Sequence, residues 1–393
     1  MKAVWKKTLG LAVLSVCAAQ LQGGQDGGLS PAVDRVSQVE SEQSGIKLNG
    51  YVDVGYTYNF TGGAAPSFAG YSADAGRAGD FNLNALKLTL EKDISPCNTL
   101  QAGFRVDVMA GEDAQGLAGA APGSNGLYVQ QAYALLRVPV GAGLDIEMGK
   151  YSSLLGYEAD ERPANLNITG GINSWQDPGP APGVLLSYPL NANGKVYLGV
   201  TNGSGSDGNS GENASNEGYA VSGAYHLKNP GGNVEAQWSF QYAPQGDPAS
   251  FEGDGTDLLG LNQWASWQPR CADGKLLLAC NSSVWTAQGY RDPVTGRQNG
   301  SSFYTGALYA KYSFCDCMAL AARAEYAHAD DTNLLSQRGG GSDDLWSWTV
   351  TPTFNLATNL LLRLEYRLQW GDDVTGNAGK SAHTLAAETV FSF

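Results

Sequence analysis

After its first twenty residues the chain has no run of 18 apolar residues, so no helix in that stretch could cross a bilayer. It is short of positive charge, with 24 Lys and Arg against 38 Asp and Glu and a formal net charge of −14. Phosphate binding needs a basic surface, so a nucleic-acid partner is not expected. Histidine is scarce. His226, His328 and His383 are spread over separate segments and offer no metal-ligand spacing. There is no Cys-x-x-Cys-His haem attachment, no nucleotide-binding glycine loop and no recognisable Ser/His/Asp set. No catalytic residue, cofactor or metal is expected, and the chain does not read as an enzyme.

What is present begins with "MKAVWKKTLGLAVLSVCAAQ". Three lysines, an apolar run from Leu9 to Val16 and small residues behind it have the order of a secretory signal peptide. Residues 1–19 are expected to be removed. That leaves 21 basic against 38 acidic residues, a net −17. Residues 20–44 are polar and read as a flexible leader, and residues 45–393 as one domain.

That domain alternates. In "IKLNGYVDVGYTYNF", Ile46, Leu48, Val52, Val54, Tyr56, Tyr58 and Phe60 share one face of a strand. In "NLLLRLEYRLQWGDD", Leu360, Leu362, Leu364, Tyr366, Leu368 and Trp370 oppose Arg363, Glu365, Arg367 and Gln369. A soluble sandwich also alternates. Here, however, the polar face carries repeated charges in mid-strand, which a dry core would not accept unpaired. The apolar face therefore looks outward and the polar face lines a wet interior.

The connections alternate as well. Short ones such as "DISPCN", "PVGAG" and "NLATN" take turns with long ones near 61–80, 111–126, 152–181, 203–217, 244–256, 292–300, 330–342 and 371–380. Short periplasmic turns and long outer loops belong to a transmembrane antiparallel β-barrel. The all-β fold expected is such a barrel, with 14 clear strands. A weaker hairpin over "TDLLGLNQWASWQP" and "SSVWTAQGYRD" raises the count to 16, the number favoured. The final strand closes the barrel, because lipid offers no partner to an open edge. Phe391 and the terminal Phe393 resemble the aromatic ending read by the outer-membrane assembly machinery of Gram-negative bacteria.

Several residues stand out as candidates to line and select in such a pore. Arg105 and Asp107 point inward from an early strand, and Arg323, Glu325, Arg363, Glu365 and Arg367 from late ones. The long loop after Lys150 carries Glu158, Asp160, Glu161 and Arg162. Acids on an inward-folded loop facing arginines across water would make a transverse field that orders ions. The same late-strand charges can instead form a salt-bridge network that stiffens the wall. Other acids, among them Glu112, Asp113, Asp207, Glu212, Asp330, Asp343, Asp344 and Asp372, read as solvated outer-loop residues in contact with lipopolysaccharide. Trp346, Trp348, Trp370, Tyr312, Tyr326 and Tyr366 share the lipid phase and read as an interfacial girdle rather than a sugar slide. Five cysteines remain in the mature chain, all expected at periplasmic turns. Cys271 with Cys280 is the favoured disulfide. Cys315 and Cys317 bridge each other or pair elsewhere.

The stretch "LLGYEADERPANLNITGGINSWQDPGPAPGVLLSYPLN" resembles the OmpL-like β-barrel porins, through Gly156–Glu158, "NLNIT" at Asn165–Thr169 and "GVLLSYPL" at Gly183–Leu190. "GALYAKYSF" followed by "ALAARAEY" is similar to a later strand pair of that family. The resemblance implies a single outer-membrane barrel with passive or weakly selective permeation; ions and small hydrophilic solutes are the cargo expected, and a homo-oligomer such as a trimer is the assembly considered. The acidic balance favours cations. A substrate-selective sugar or peptide channel, and a barrel sheathing a periplasmic electron-transfer partner, are the rival readings.

Overall fold

The computed structural model describes residues 39–41, 45–60, 79–95, 97–117, 127–174, 177–203, 219–246, 256–288, 301–329, 344–371 and 381–393. The signal peptide expected at 1–19 lies outside them. Sixteen long strands run in chain order: β2 (Ile46–Asn59), β3 (Phe81–Lys92), β4 (Gln101–Ala110), β5 (Leu127–Val138), β6 (Leu144–Tyr151), β7 (Ala181–Asn191), β8 (Gly194–Asn202), β9 (Tyr219–Lys228), β10 (Val234–Gly246), β11 (Thr256–Trp267), β12 (Leu276–Gln288), β13 (Ser301–Cys315), β14 (Met318–Ala329), β15 (Asp344–Ala357), β16 (Leu360–Gly371) and β17 (Ser381–Ser392). Each pairs antiparallel with the next.

The ring closes where β17 pairs with β2, Ser392 opposite Tyr51 and Thr384 opposite Asn59. At the seam Phe393 and Gly50 exchange both backbone bonds at 2.9 Å. Gly50 is required there, because a Cβ would lie 2.3 Å from the Lys87 carbonyl oxygen and 2.8 Å from the Phe393 ring. The leader is not wholly without structure: β1 (Val39–Ser41) pairs with Ile46–Leu48, the part of β2 below the end of β17.

The faces follow the alternation. Leu360, Leu362 and Leu364 belong to the outward phase of β16, while Arg363, Glu365, Arg367 and Gln369 are buried inside. Trp346 and Trp370, paired in register, stack at 6.3 Å on the outside with Tyr326 4.5 Å from Trp346. On β3 a bulge opposite Asp53 and Val54 shifts the phase, so both Asn84 and Ala85 face in and Lys87 follows inward.

The weaker hairpin is real, but its turn sits elsewhere than expected. Asp273 (φ 50°) and Gly274 (φ 73°) reverse the chain, and the triple leucine at 276–278 opens β12. Cys280 is therefore a mid-strand residue opposite Ala265 and Leu308, not a turn residue. The Cys271–Cys280 disulfide is accordingly corrected. Both residues are thiols, and the disulfide joins Cys315 to Cys317 across the β13–β14 turn, with Cα atoms 5.2 Å apart.

Candidate functional site

The loop between β6 and β7, residues 152–180 and here called L3, folds into the barrel. Residues 165–173 are all buried. Apart from two short 3-10 turns at Arg162–Ala164 and Ile172–Ser174, the described residues of L3 have no regular structure. Its peptide groups need partners, since buried N–H and C=O groups are almost always bonded. The late strands supply them.

Arg363 donates from Nη1 to the Asn165 carbonyl (2.7 Å) and from Nη2 to that of Arg162 (3.0 Å). Arg323 donates to the carbonyls of Thr169 (2.8 Å) and Gly170 (3.2 Å), and Arg367 to Gly170 (2.7 Å). Glu365 takes the opposite part. It accepts from the amides of Ile168 (2.5 Å) and Thr169 (3.0 Å) and from the hydroxyls of Thr169 and Thr351. The wall thus serves the loop as a fixed set of donors and acceptors, a task suited to the rigid guanidinium fork.

The charges within this contact are paired. Arg323 pairs with Glu158 of L3 at 2.7 Å and Glu325 at 2.9 Å. Arg363 pairs with Glu388 of β17, and Arg367 lies 3.8 Å from Glu325. From L3, Glu161 meets Lys87, which also lies 3.2 Å from Asp107, and Arg162 meets Asp113 at 2.6 Å. Asp113 and Glu112 belong to the short helix α1 (Glu112–Leu117) and are buried, so their reading as solvated outer-loop acids is corrected. Of that set, Asp344 is exposed and bonds His328 at 2.9 Å. Asp207, Glu212, Asp330, Asp343 and Asp372 lie outside the described residues.

Burial raises the Asp160 carboxyl to about 7, with Glu161 adding to the effect and Lys87 opposing it. Burial likewise raises Asp177 to about 8, with Glu158 and Asp160 adding to it. Neither Asp177 oxygen has a hydrogen-bond partner among the described residues.

The opposite wall differs. Arg105, Tyr133, Glu147, Lys195, Tyr197, His226 and Glu235 project inward from β4 to β10 and are only half-buried. Arg105 keeps 31 % of its side-chain surface and Glu235 28 %, against 0–3 % for Arg323, Arg363 and Arg367. Glu147 lies within electrostatic reach of Lys195, Asp145 and Arg105. L3 touches this side lightly, as where Gln237 donates to the Leu154 carbonyl at 2.6 Å. Water-accessible charge of both signs therefore concentrates on β4–β10.

Sequence reasoning placed the late-strand arginines and the L3 acids on the inner face, and the structure brings Glu158 to Arg323. It missed Lys87, Asp113, Glu388, Asn165 and the backbone carbonyls as partners. The inward phases of β3 and β17 hold Lys87 and Glu388 and could have nominated them, but the carbonyls leave no mark in side-chain sequence.

The fold matches solved porins across nearly the whole chain. The outer-membrane channel DcaP of Acinetobacter baumannii is 14 % identical, with 90 % of this chain and 99 % of that one covered and a TM-score of 0.62. OmpF of Salmonella typhi, solved with daunomycin, is 15 % identical, with 90 % and 100 % covered and a TM-score of 0.61. An anion-selective porin from Comamonas acidovorans is 13 % identical, with 88 % and 99 % covered and a TM-score of 0.58. At these identities the likeness carries the fold alone. No curated protein matches by sequence. Family assignment rests on residues 45–393, which match the family described as "Putative beta-barrel porin-2, OmpL-like"; the chain belongs to that porin family of the Gram-negative outer membrane.

Proposed function

We propose that the protein is a passive diffusion porin for ions and small hydrophilic solutes, weakly selective for cations. The observation that carries this reading is the division of the lumen. L3 is bonded to β14–β16, while the half-buried groups of β4–β10 stay in reach of water. Solutes pass along that second wall with no energy input. The field there comes from Arg105, Lys195, Glu147 and Glu235, and from the acid surplus of the mature chain. The arginines that could favour anions, Arg323, Arg363 and Arg367, lie against glutamates and loop carbonyls and add little net field to the path. Secretion by residues 1–19 and recognition of Phe391 and Phe393 by the assembly machinery belong to the same reading.

The test is conductance of the refolded, signal-free protein in a planar bilayer across a KCl gradient. Stable open steps with a reversal potential toward that of K⁺ are expected. Electrical silence would overturn the pore, and a reversal potential toward that of Cl⁻ would overturn the selectivity.

A further inference from the structure

Nearly every inward-facing cation described above has a carboxylate or an aromatic ring beside it. Lys87 and Arg105 have carboxylates, Lys150 lies 4.3 Å from the Tyr128 ring centroid, and Lys195 lies 5.0 Å from that of Tyr197. Lys311 on β13 has neither. It is half-buried, and among the described residues it makes no ion pair and no hydrogen bond. The titratable group within its electrostatic reach is another cation, Arg363, whose guanidinium is committed to Glu388 and to two loop carbonyls. A half-buried ammonium without a counter-ion is stabilised by an anion placed beside it.

Lys311 lines a cavity of about 300 Å³. Its roof is the underside of L3, at Pro163, Asn165 and Leu166, and its mouth lies between the β13–β14 and β15–β16 turns, the periplasmic end in this barrel layout. The recess has a sequence cause. In register with Lys311 and Ser313, the neighbouring strand β14 presents only Ala321 and Ala319. Leu166, Leu361, Val390 and Met318 give the cavity apolar walls, and Ser313 and Thr353 add polar lining. Asp316 stands exposed at the rim, where it opposes a second negative charge.

We propose that this cavity is a binding subsite for small monocarboxylates with an apolar body, entered from the periplasmic end and anchored by Lys311. One uncompensated positive charge fits one carboxylate, and a volume of this size takes a small aromatic or aliphatic acid. The subsite lies beneath L3, apart from the half-buried wall of β4–β10, so it holds solute beside the path and does not set the sign of bulk ion selectivity.

Calorimetric titration of the whole folded barrel in detergent with benzoate tests the site, with benzamide as the neutral isostere. Saturable benzoate binding and no benzamide binding are expected. Lys311→Gln should weaken benzoate by about tenfold or more. Ala321→Leu, which fills the recess and keeps the charge, should weaken it as well. Heat-modifiable gel migration confirms that each variant is folded. Equal binding of benzamide, absence of benzoate binding, or benzoate binding untouched by Lys311→Gln in a folded barrel would each overturn the proposal. A barrel that binds benzoate but stays silent in a bilayer would refute the porin reading and leave the site standing. One that conducts but ignores benzoate would do the reverse.

Discussion

The two halves of the barrel wall are written in the same alternating code and do opposite things. On β14–β16 the inward arginines and glutamates are dry and held against L3. On β4–β10 Arg105, Glu147, Lys195 and Glu235 stay half-exposed and answer to water, although Asp107, Asp145 and Lys150 are buried. The difference lies in what each wall faces. Where a loop without regular structure presses on it, an arginine becomes a donor to backbone carbonyls. Where water faces it, an arginine is a source of field. An inward charge in a porin strand therefore cannot be assigned a role until the position of the loop is known.

The contrast should break most severely at Arg323. Arg323→Ala leaves Glu158 buried without its cation and Glu325 with Arg367 at 3.8 Å as its remaining one, a loss of about 3–5 kcal/mol for a broken buried pair. A lower Tm, new protease cleavage within L3 and noisy conductance are expected. Glu365→Gln should do less, because the amide oxygen still accepts from one side of the loop contact, while the amide nitrogen faces donors on the other; about 1–3 kcal/mol is expected by the same thermal assay.

A pH dependence follows from Asp160 and Asp177. Both carboxyls are raised above their unfolded value of 3.8, to about 7 and about 8. Their contribution is fully present below about pH 4 and is lost as pH rises through 7 to 8. L3 should therefore resist protease better at pH 6 than at pH 9, and Asp160→Asn with Asp177→Asn should flatten that difference. The smallest effect belongs to the open wall. Glu147→Gln should leave the unfolding free energy within about 0.5 kcal/mol of the parent and move the reversal potential slightly toward that of Cl⁻.

Much of this architecture was legible. Strict alternation over "NLLLRLEYRLQWGDD" gave the inner and outer faces, and the length of 152–181 singled out the inward loop. The pairings inside were not legible. Arg162 meets Asp113 from 49 residues away, and Glu365 meets Thr169 from 196. No local spacing encodes such contacts. The helix α1 turned two expected surface acids inward, because its Asp113 serves L3 rather than solvent. The cysteines misled because the turn between β11 and β12 was placed too late. With Asp273 and Gly274 recognised as its apex, Cys280 could not have reached Cys271.

The division of the lumen is most directly tested by thiol accessibility. In a background of Cys97→Ser, Cys271→Ser and Cys280→Ser, one variant carries Glu147→Cys and another Ser347→Cys, each followed by channel current under a charged methanethiosulfonate reagent. The account predicts rapid modification and a change in current at 147, and protection at 347, which is fully buried beside Arg367. Equal reaction rates at the two positions would show that water reaches both walls alike, and would contradict it.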